Sequence, residues 1–248
     1  MKKEKVRTMI FAHRGASGEY PENTLLAFQK AAEQGADGLE LDIHLTKDQV
    51  PVVIHDRKVD RTTDGKGWVF EHTLEELKQL DAGSWKDPSF QGEQIPTLEE
   101  VLAWAKDTSL FLNIELKIGL RPYSGLVPQV LEQIAHFKLE DRVIISSFNH
   151  YSLVEVRQLN PAIETAILFM EGLYQPWEYA KGIGAQGLHC YLPVAQPELL
   201  RGAAEAGMPV RPFTVNDPNH MKKLIQAQCA GFFTDWPVQA RQLRDELQ

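Results

Sequence analysis

Strand-like and helix-like segments alternate along this chain from end to end, and one interval between strands is too short for the rule that governs the others. Apolar, often β-branched runs fall at 9–13, 38–45, 51–55, 111–117, 142–148, 165–169, 187–191, 209–215 and 231–234. Segments with helical periodicity fall at 24–34, 97–107, 124–137, 150–159, 176–183, 196–206, 218–228 and 237–247. A repeating βα order predicts a parallel sheet with helices outside it. Parallel neighbours need a crossover of about a dozen residues. The runs at 38–45 and 51–55 are joined only through Lys47-Asp48-Gln49, so this pair must be a hairpin. With the hairpin counted as one arm, eight strands and eight helices remain. That is an α/β chain of the (β/α)8 TIM-barrel class with a β-hairpin extension. An open doubly wound sheet is the alternative, but no Gly-x-Gly-x-x-Gly turn follows a strand.

Local signals agree with the barrel. Asn23, Thr97, Ser124 and Asn149 stand as N-caps before apolar-periodic segments. Pro197, Pro218 and Pro237 suit first turns, and Gly35, Gly184 and Gly207 suit helix ends. Residues 57–95, after His55, break the rhythm and read as a small insertion capping one end of a single domain spanning 1–248. The insertion's Trp68, Phe70, Trp85 and Phe90 either pack it down or line the mouth.

The formal charge of -8 leaves no electrostatic footprint for nucleic acid or an anionic membrane, so a phosphate-bearing ligand needs a local cationic pocket. Two cysteines, Cys190 and Cys229, imply neither a disulfide framework nor a thiolate zinc site. The basic start, Met1 to Thr8, has no apolar stretch of signal-peptide type after it, and no run is long enough to span a bilayer. A cytoplasmic protein without stable membrane association is expected. Nothing in the sequence bears on oligomeric state.

Chemistry-bearing residues collect at the ends of the strand-like runs. Met9-Ile10-Phe11-Ala12 ends in His13-Arg14-Gly15, and Val52-Val53-Ile54 ends in His55-Asp56. Side chains alternate across a strand, so Glu40 and Asp42 share one face while Leu39, Leu41 and Ile43 take the other. Glu115 and Lys117 repeat that spacing on a different strand. Inward carboxylates in a low dielectric repel one another, and a shared proton or a cation relieves them. Glu40, Asp42 and Glu115 form an all-oxygen set that suits one divalent cation, Ca²⁺ or Mg²⁺, with Mn²⁺ also accommodated. The plainer account is a set of buried salt bridges to Arg14 and Lys117. The same two cations are the phosphate candidates, Arg14 as a planar fork and Lys117 as a point charge.

His13 and His55 can divide the roles of base and acid across a phosphorus centre. Either alone reads equally well as a core histidine. His44 shares the acids' face further along the hairpin, His189 is a candidate for the mouth, and His72, His136, His150 and His220 read as solvated.

The ordered set His13-Arg14-Gly15, Pro21-Glu22-Asn23-Thr24, Glu40-Leu41-Asp42, Leu45-Thr46-Lys47-Asp48, Pro51 through Asp56 and Glu115-Leu116-Lys117 resembles the glycerophosphodiester phosphodiesterases. The resemblance continues through Ser147-Phe148 and Thr234-Asp235 and covers nearly the whole chain. It implies a barrel with a small insertion, a divalent metal, and hydrolysis of glycerophosphodiesters to sn-glycerol 3-phosphate and an alcohol. It carries His13 and His55 over as the acid/base pair, Glu40, Asp42 and Glu115 as metal ligands, and Arg14 and Lys117 as phosphate-binding residues. Asn23 matches the motif as a helix cap that holds the His13 loop. Phe213 stands where the family often has tryptophan, and Trp236 adds bulk at the eighth strand's exit; both bear on the preferred alcohol.

Two rival functions remain. A phospholipase D-like hydrolase of lysophospholipids or sphingomyelin needs an apolar rim, for which Trp68, Phe70, Trp85 and Trp236 are candidates. A non-catalytic phosphodiester-binding protein needs no acid/base pair.

Overall fold

The computed structural model describes residues 7–118 and 125–248. The hydrogen-bonded sheet contains β1 (Met9–His13), β2 (Gly38–Leu45), β3 (Pro51–Val53), β4 (Phe111–Leu116), β5 (Val143–Ser147), β6 (Glu164–Phe169), β7 (Gly187–Cys190) and β8 (Gly231–Thr234). Its order is β7-β6-β5-β4-β2-β1-β8, and β3 pairs antiparallel with β2 as the predicted hairpin arm.

The run at 209–215 is not a regular strand. Pro209 and Pro212 lack the N–H groups a ladder needs, so only isolated bridges form, Leu188 with Val210 and Tyr191 with Phe213. The segment still closes the ring. Leu188 N donates to Pro209 O (2.9 Å) and Arg211 N to Leu188 O (2.8 Å) on one side. On the other, Val215 N donates to Phe233 O (2.8 Å) and Phe233 N to Pro212 O (3.0 Å). The result is an α/β barrel with β3 as an extension.

Around it lie α1 (Leu25–Glu33), α3 (Leu98–Ala105), α4 (Leu126–Phe137), α5 (His150–Leu159), α6 (Pro176–Gly182), α7 (Pro197–Glu205), α8 (Pro218–Gln226) and α9 (Pro237–Leu247). Thr97 caps α3 in a reciprocal box with Glu100, and Asn149 caps α5. Ser124 lies outside the described residues. Asn23 is not a cap: Thr24 caps α1 by accepting from Ala27 N, and Asn23 turns the other way, into the site.

Parity sorts the strands. Leu39, Leu41, Ile43 and Leu45 join the main core between sheet and helices. Phe11, Ile144, Ala166 and Phe233 plug the barrel interior. Gly38 and Gly231 leave room for the Phe11 ring; a Cβ at Gly38 would stand 2.6 Å from it. Between β3 and α3, residues 57–95 hold short helical turns, including α2 (Leu74–Leu77), over a small core of Val52, Ile54, Val59, Val69, Leu77, Ala82 and Ile95. Lys86 ties this region to the loop after β1 through the carbonyls of Ser17 and Gly18.

Candidate active site

Strand register brings the acids together. His13 is paired with Glu40, Glu40 with Asn113, and Asp42 with Glu115 on adjacent parallel strands, all near the C-terminal end of the barrel where catalytic groups gather. One ligand oxygen from each of Glu40, Asp42 and Glu115 lies within 4.8 Å of the others. The hairpin supplies His55: Ile54 N donates to Asp42 O (3.0 Å), so the residue after it lies beside the acid cluster.

Backbone geometry after β1 aims the next residues inward. Arg14 and Gly15 have positive φ (57° and 84°), and a Cβ at Gly15 would meet the Ala27 backbone at 2.7 Å. The turn points Arg14 N at Glu40 Oε2 (3.0 Å) and its guanidinium at Glu22 (2.9 Å) and Asp42 (3.4 Å). Lys117 Nζ lies 2.7 Å from Glu115 and 3.3 Å from Asp42. Asn23 donates to Asp42 Oδ2 (2.8 Å), and its backbone N–H to Arg14 O (2.9 Å).

The three buried acids hold unequal charge. Burial, then the charges of Asp42 and Glu115, push Glu40 well above the usual carboxylate range. Burial pushes Glu115 up to about 7 despite Lys117. Burial also opposes the charge on Asp42, but Lys117, Arg14 and His55 outweigh it and hold that carboxyl below its ordinary range. Asp42 Oδ1 is buried without a hydrogen bond among the described residues, 3.3 Å from the Lys117 ammonium. An all-oxygen cluster that is strained when fully ionised, with one oxygen still open, fits a hard divalent cation.

Both candidate histidines are oriented by carboxylates. His13 Nδ1 is 2.7 Å from Asp235 Oδ1, and His55 Nδ1 is 2.7 Å from Asp56 Oδ1. A carboxylate at Nδ1 accepts a hydrogen bond from it, keeps the ring proton on that nitrogen and leaves Nε2 to face the ligand. Burial lowers the His55 pKa. Asp235 is fixed in turn by Ser17 (3.1 Å) and Asn216 (2.6 Å). Arg61 forks onto both Asp56 and Glu22 at 2.7–3.0 Å, linking the partner of His55 to the partner of Arg14.

Glu22, Asp56, Arg61, Asp235, Ser17 and Asn216 were not singled out by sequence reasoning. Asp56, Glu22 and Asp235 lie inside the quoted motifs, Asp56 and Glu22 one residue from His55 and Asn23 and Asp235 beside Thr234. No sequence signal brings Asn216 to Asp235.

The predicted residues His13, Arg14, Glu40, His55, Glu115 and Lys117 line one cavity of about 240 Å³, together with the apolar Phe148, Leu168, Met170, Phe213 and Phe233. Asp42 lies beneath it, 1 % exposed. Trp68, Phe70, Trp85 and Trp236 line neither this cavity nor the neighbouring one of about 500 Å³ beside His55. His189 is not at the mouth but inside the barrel, against Arg211 and Phe233. His44 is buried with Nε2 3.1 Å from His55 O, and burial pulls it down to about 4. His150 is also engaged, with Leu168 O and Tyr179.

The profile of the glycerophosphoryl diester phosphodiesterase family matches residues 13–239. The chain belongs to that family. A glycerophosphodiester phosphodiesterase of Caldanaerobacter subterraneus is 45% identical over 232 residues, covering 94% of this chain and 96% of the relative. A Bacillus subtilis relative, the uncharacterized protein YqiK, is 46% identical over 238 residues, 95% of this chain and 98% of its own. An Oleispira antarctica phosphodiesterase in complex with the product sn-glycerol-3-phosphate superposes with a TM-score of 0.86 at 33% identity, covering 96% of each chain. Among the described residues, no helix is long and apolar enough to cross a membrane.

Proposed function

We propose that the chain hydrolyses glycerophosphodiesters to sn-glycerol 3-phosphate and an alcohol, with a divalent cation on Glu40, Asp42 and Glu115. The observation that carries this reading is the convergence in one cavity of two carboxylate-oriented imidazoles, the acid cluster and the cations Arg14 and Lys117. A purely binding role would not need two imidazoles held in a fixed tautomer. The unit is read as one barrel domain over 1–248 with an insertion at about 57–95, working in the cytoplasm, in keeping with its two buried free cysteines.

In the mechanism, Arg14 and Lys117 orient the phosphate and neutralise its oxygens. His13 Nε2 takes the proton of the attacking oxygen, which is either water, giving sn-glycerol 3-phosphate directly, or the substrate's 2-hydroxyl, giving a cyclic phosphate that water then opens to the same product. His55 protonates the departing alcohol. The divalent cation, when bound, stabilises charge building on the phosphate oxygens. Phe148, Phe213 and Phe233 supply apolar lining to the same cavity.

The test is a coupled glycerol 3-phosphate assay with chelator-stripped protein resupplied with Ca²⁺, Mg²⁺ or Mn²⁺, alongside His13→Ala. Stripping abolishes turnover, and His13→Ala lowers kcat by roughly 10²–10⁴-fold. Full activity in stripped protein refutes the ligand set, and near-normal turnover by the variant removes His13 as base.

A further inference from the structure

Resting on that reading, the structure also indicates which alcohol leaves. Attack and departure at phosphorus are in line, so the leaving oxygen points away from the base and toward the acid. His13 lines the 240 Å³ cavity but not the larger one of about 500 Å³. His55, Glu115, Lys117 and Phe148 border both. The larger cavity therefore lies on the acid's side of the reacting phosphate, where the alcohol must go.

Its charge is one-sided. Arg57 and Lys58 line it, both exposed, beside Lys117. The Arg57 guanidinium has no hydrogen bond or ion pair among the described residues. Lys58 Nζ is held 4.8 Å over the Trp68 ring, which fixes the ammonium without neutralising it. The two carboxylates bordering this cavity are already committed. Asp56 accepts both arms of Arg61 and faces His55, and Glu115 is paired with Lys117. A trimethylammonium group would find no free carboxylate here. Phe148 alone is not the aromatic cage that quaternary ammonium recognition uses.

We propose that this cavity seats the leaving alcohol and that Arg57 and Lys58 fit it for an alcohol carrying an anionic group, a phosphate or carboxylate. They act as specificity residues through charge in a partly solvated site, so the preference is modest and screened by salt.

The experiment compares kcat/KM for three diesters with the cation-loaded enzyme: glycerophosphoglycerol, the same compound bearing a terminal phosphate, and glycerophosphocholine. The phosphate-bearing diester is favoured over glycerophosphoglycerol by roughly three- to tenfold at low salt, and choline is the poorest. The ratio shrinks toward one in 0.5 M salt. Arg57→Glu with Lys58→Glu inverts the order, and Arg57→Gln with Lys58→Gln flattens it. A ratio of one in the wild-type enzyme, or a ratio unmoved by both double variants, overturns the assignment while leaving the phosphodiesterase reading intact. No turnover of any of the three overturns both.

Discussion

Replacing Asp235 by asparagine tests the tautomer on which the proposed role of His13 as base depends. The new amide has its orientation dictated in advance. Asn216 cannot flip, because its Oδ1 accepts from Asp235 N (2.9 Å) and from Thr234 Oγ1 (3.2 Å). Its Nδ2 therefore remains a donor aimed at the position of Asp235 Oδ2 (2.6 Å). In Asp235→Asn the amide oxygen must face that donor, which leaves the amide nitrogen against His13 Nδ1, where a carboxylate oxygen now sits at 2.7 Å. Two donors cannot share that contact, so His13 carries its proton on Nε2 instead and has no lone pair for the attacking oxygen. The loss is that of a general base, roughly 10²–10⁴-fold in kcat, or about 3–5 kcal/mol of transition-state stabilisation. Asp235→Ala removes the carboxylate but imposes no donor, so either tautomer remains available and the loss is smaller, about tenfold. The assay is kcat at saturating substrate and cation, with melting temperature as the folding control. An alanine variant as slow as the asparagine variant would refute the tautomer argument, because only the asparagine reverses the hydrogen bond.

Arg61→Lys keeps the charge but cannot make forks onto Asp56 and Glu22 together, so kcat falls by about tenfold or more while melting changes little at this 43% exposed side chain. Unchanged kcat in that variant would show that Arg61 does not position His55 and Arg14. Cation binding is coupled to proton release: Glu115, raised to about 7, is largely protonated at pH 6, so affinity weakens as pH falls below about 7. Calorimetric titration from pH 5.5 to 8 measures this, and a pH-independent affinity counts against Glu115 as a ligand.

The fold was readable because a barrel repeats one local decision. Hydrophobic periodicity located the strands and helices, and the short Lys47-Asp48-Gln49 interval forced the hairpin. The one irregular stave was misread for a physical reason: apolar β-branched composition at 209–215 looks like a strand, while Pro209 and Pro212 forbid its ladder. Glu40 and Asp42 were placed on one face by alternation alone, and their partner Glu115 needed only the parallel register. The groups that hold the histidines were harder to read. Asp235 meets His13 across 222 positions, and Asn216 reaches Asp235 from the segment before α8. Asn suits a helix cap, but the φ of 58° at Asn23 turns it toward Asp42 and gives the cap to Thr24.

Charge explains why such a site calls for a cation. Glu22, Glu40, Asp42, Asp56, Glu115 and Asp235 place six carboxyl groups around the cavity, against the three fixed cations Arg14, Arg61 and Lys117. A site with that balance repels a phosphodiester. Protonation is one relief, and it is where burial pushes Glu40 and Glu115. It is a poor one for catalysis, because it depends on pH and supplies no charge to the phosphate. A divalent cation held by the three buried carboxylates would cut the excess from three negative charges to one at neutral pH and would leave the Lys117 ammonium, now on Asp42 and Glu115, for the substrate. The same arithmetic favours turnover. The diester carries one negative charge and the monoester product close to two near neutrality, so a site left with a net negative charge opposes the second more than the first, and the product is electrostatically easier to release than the substrate.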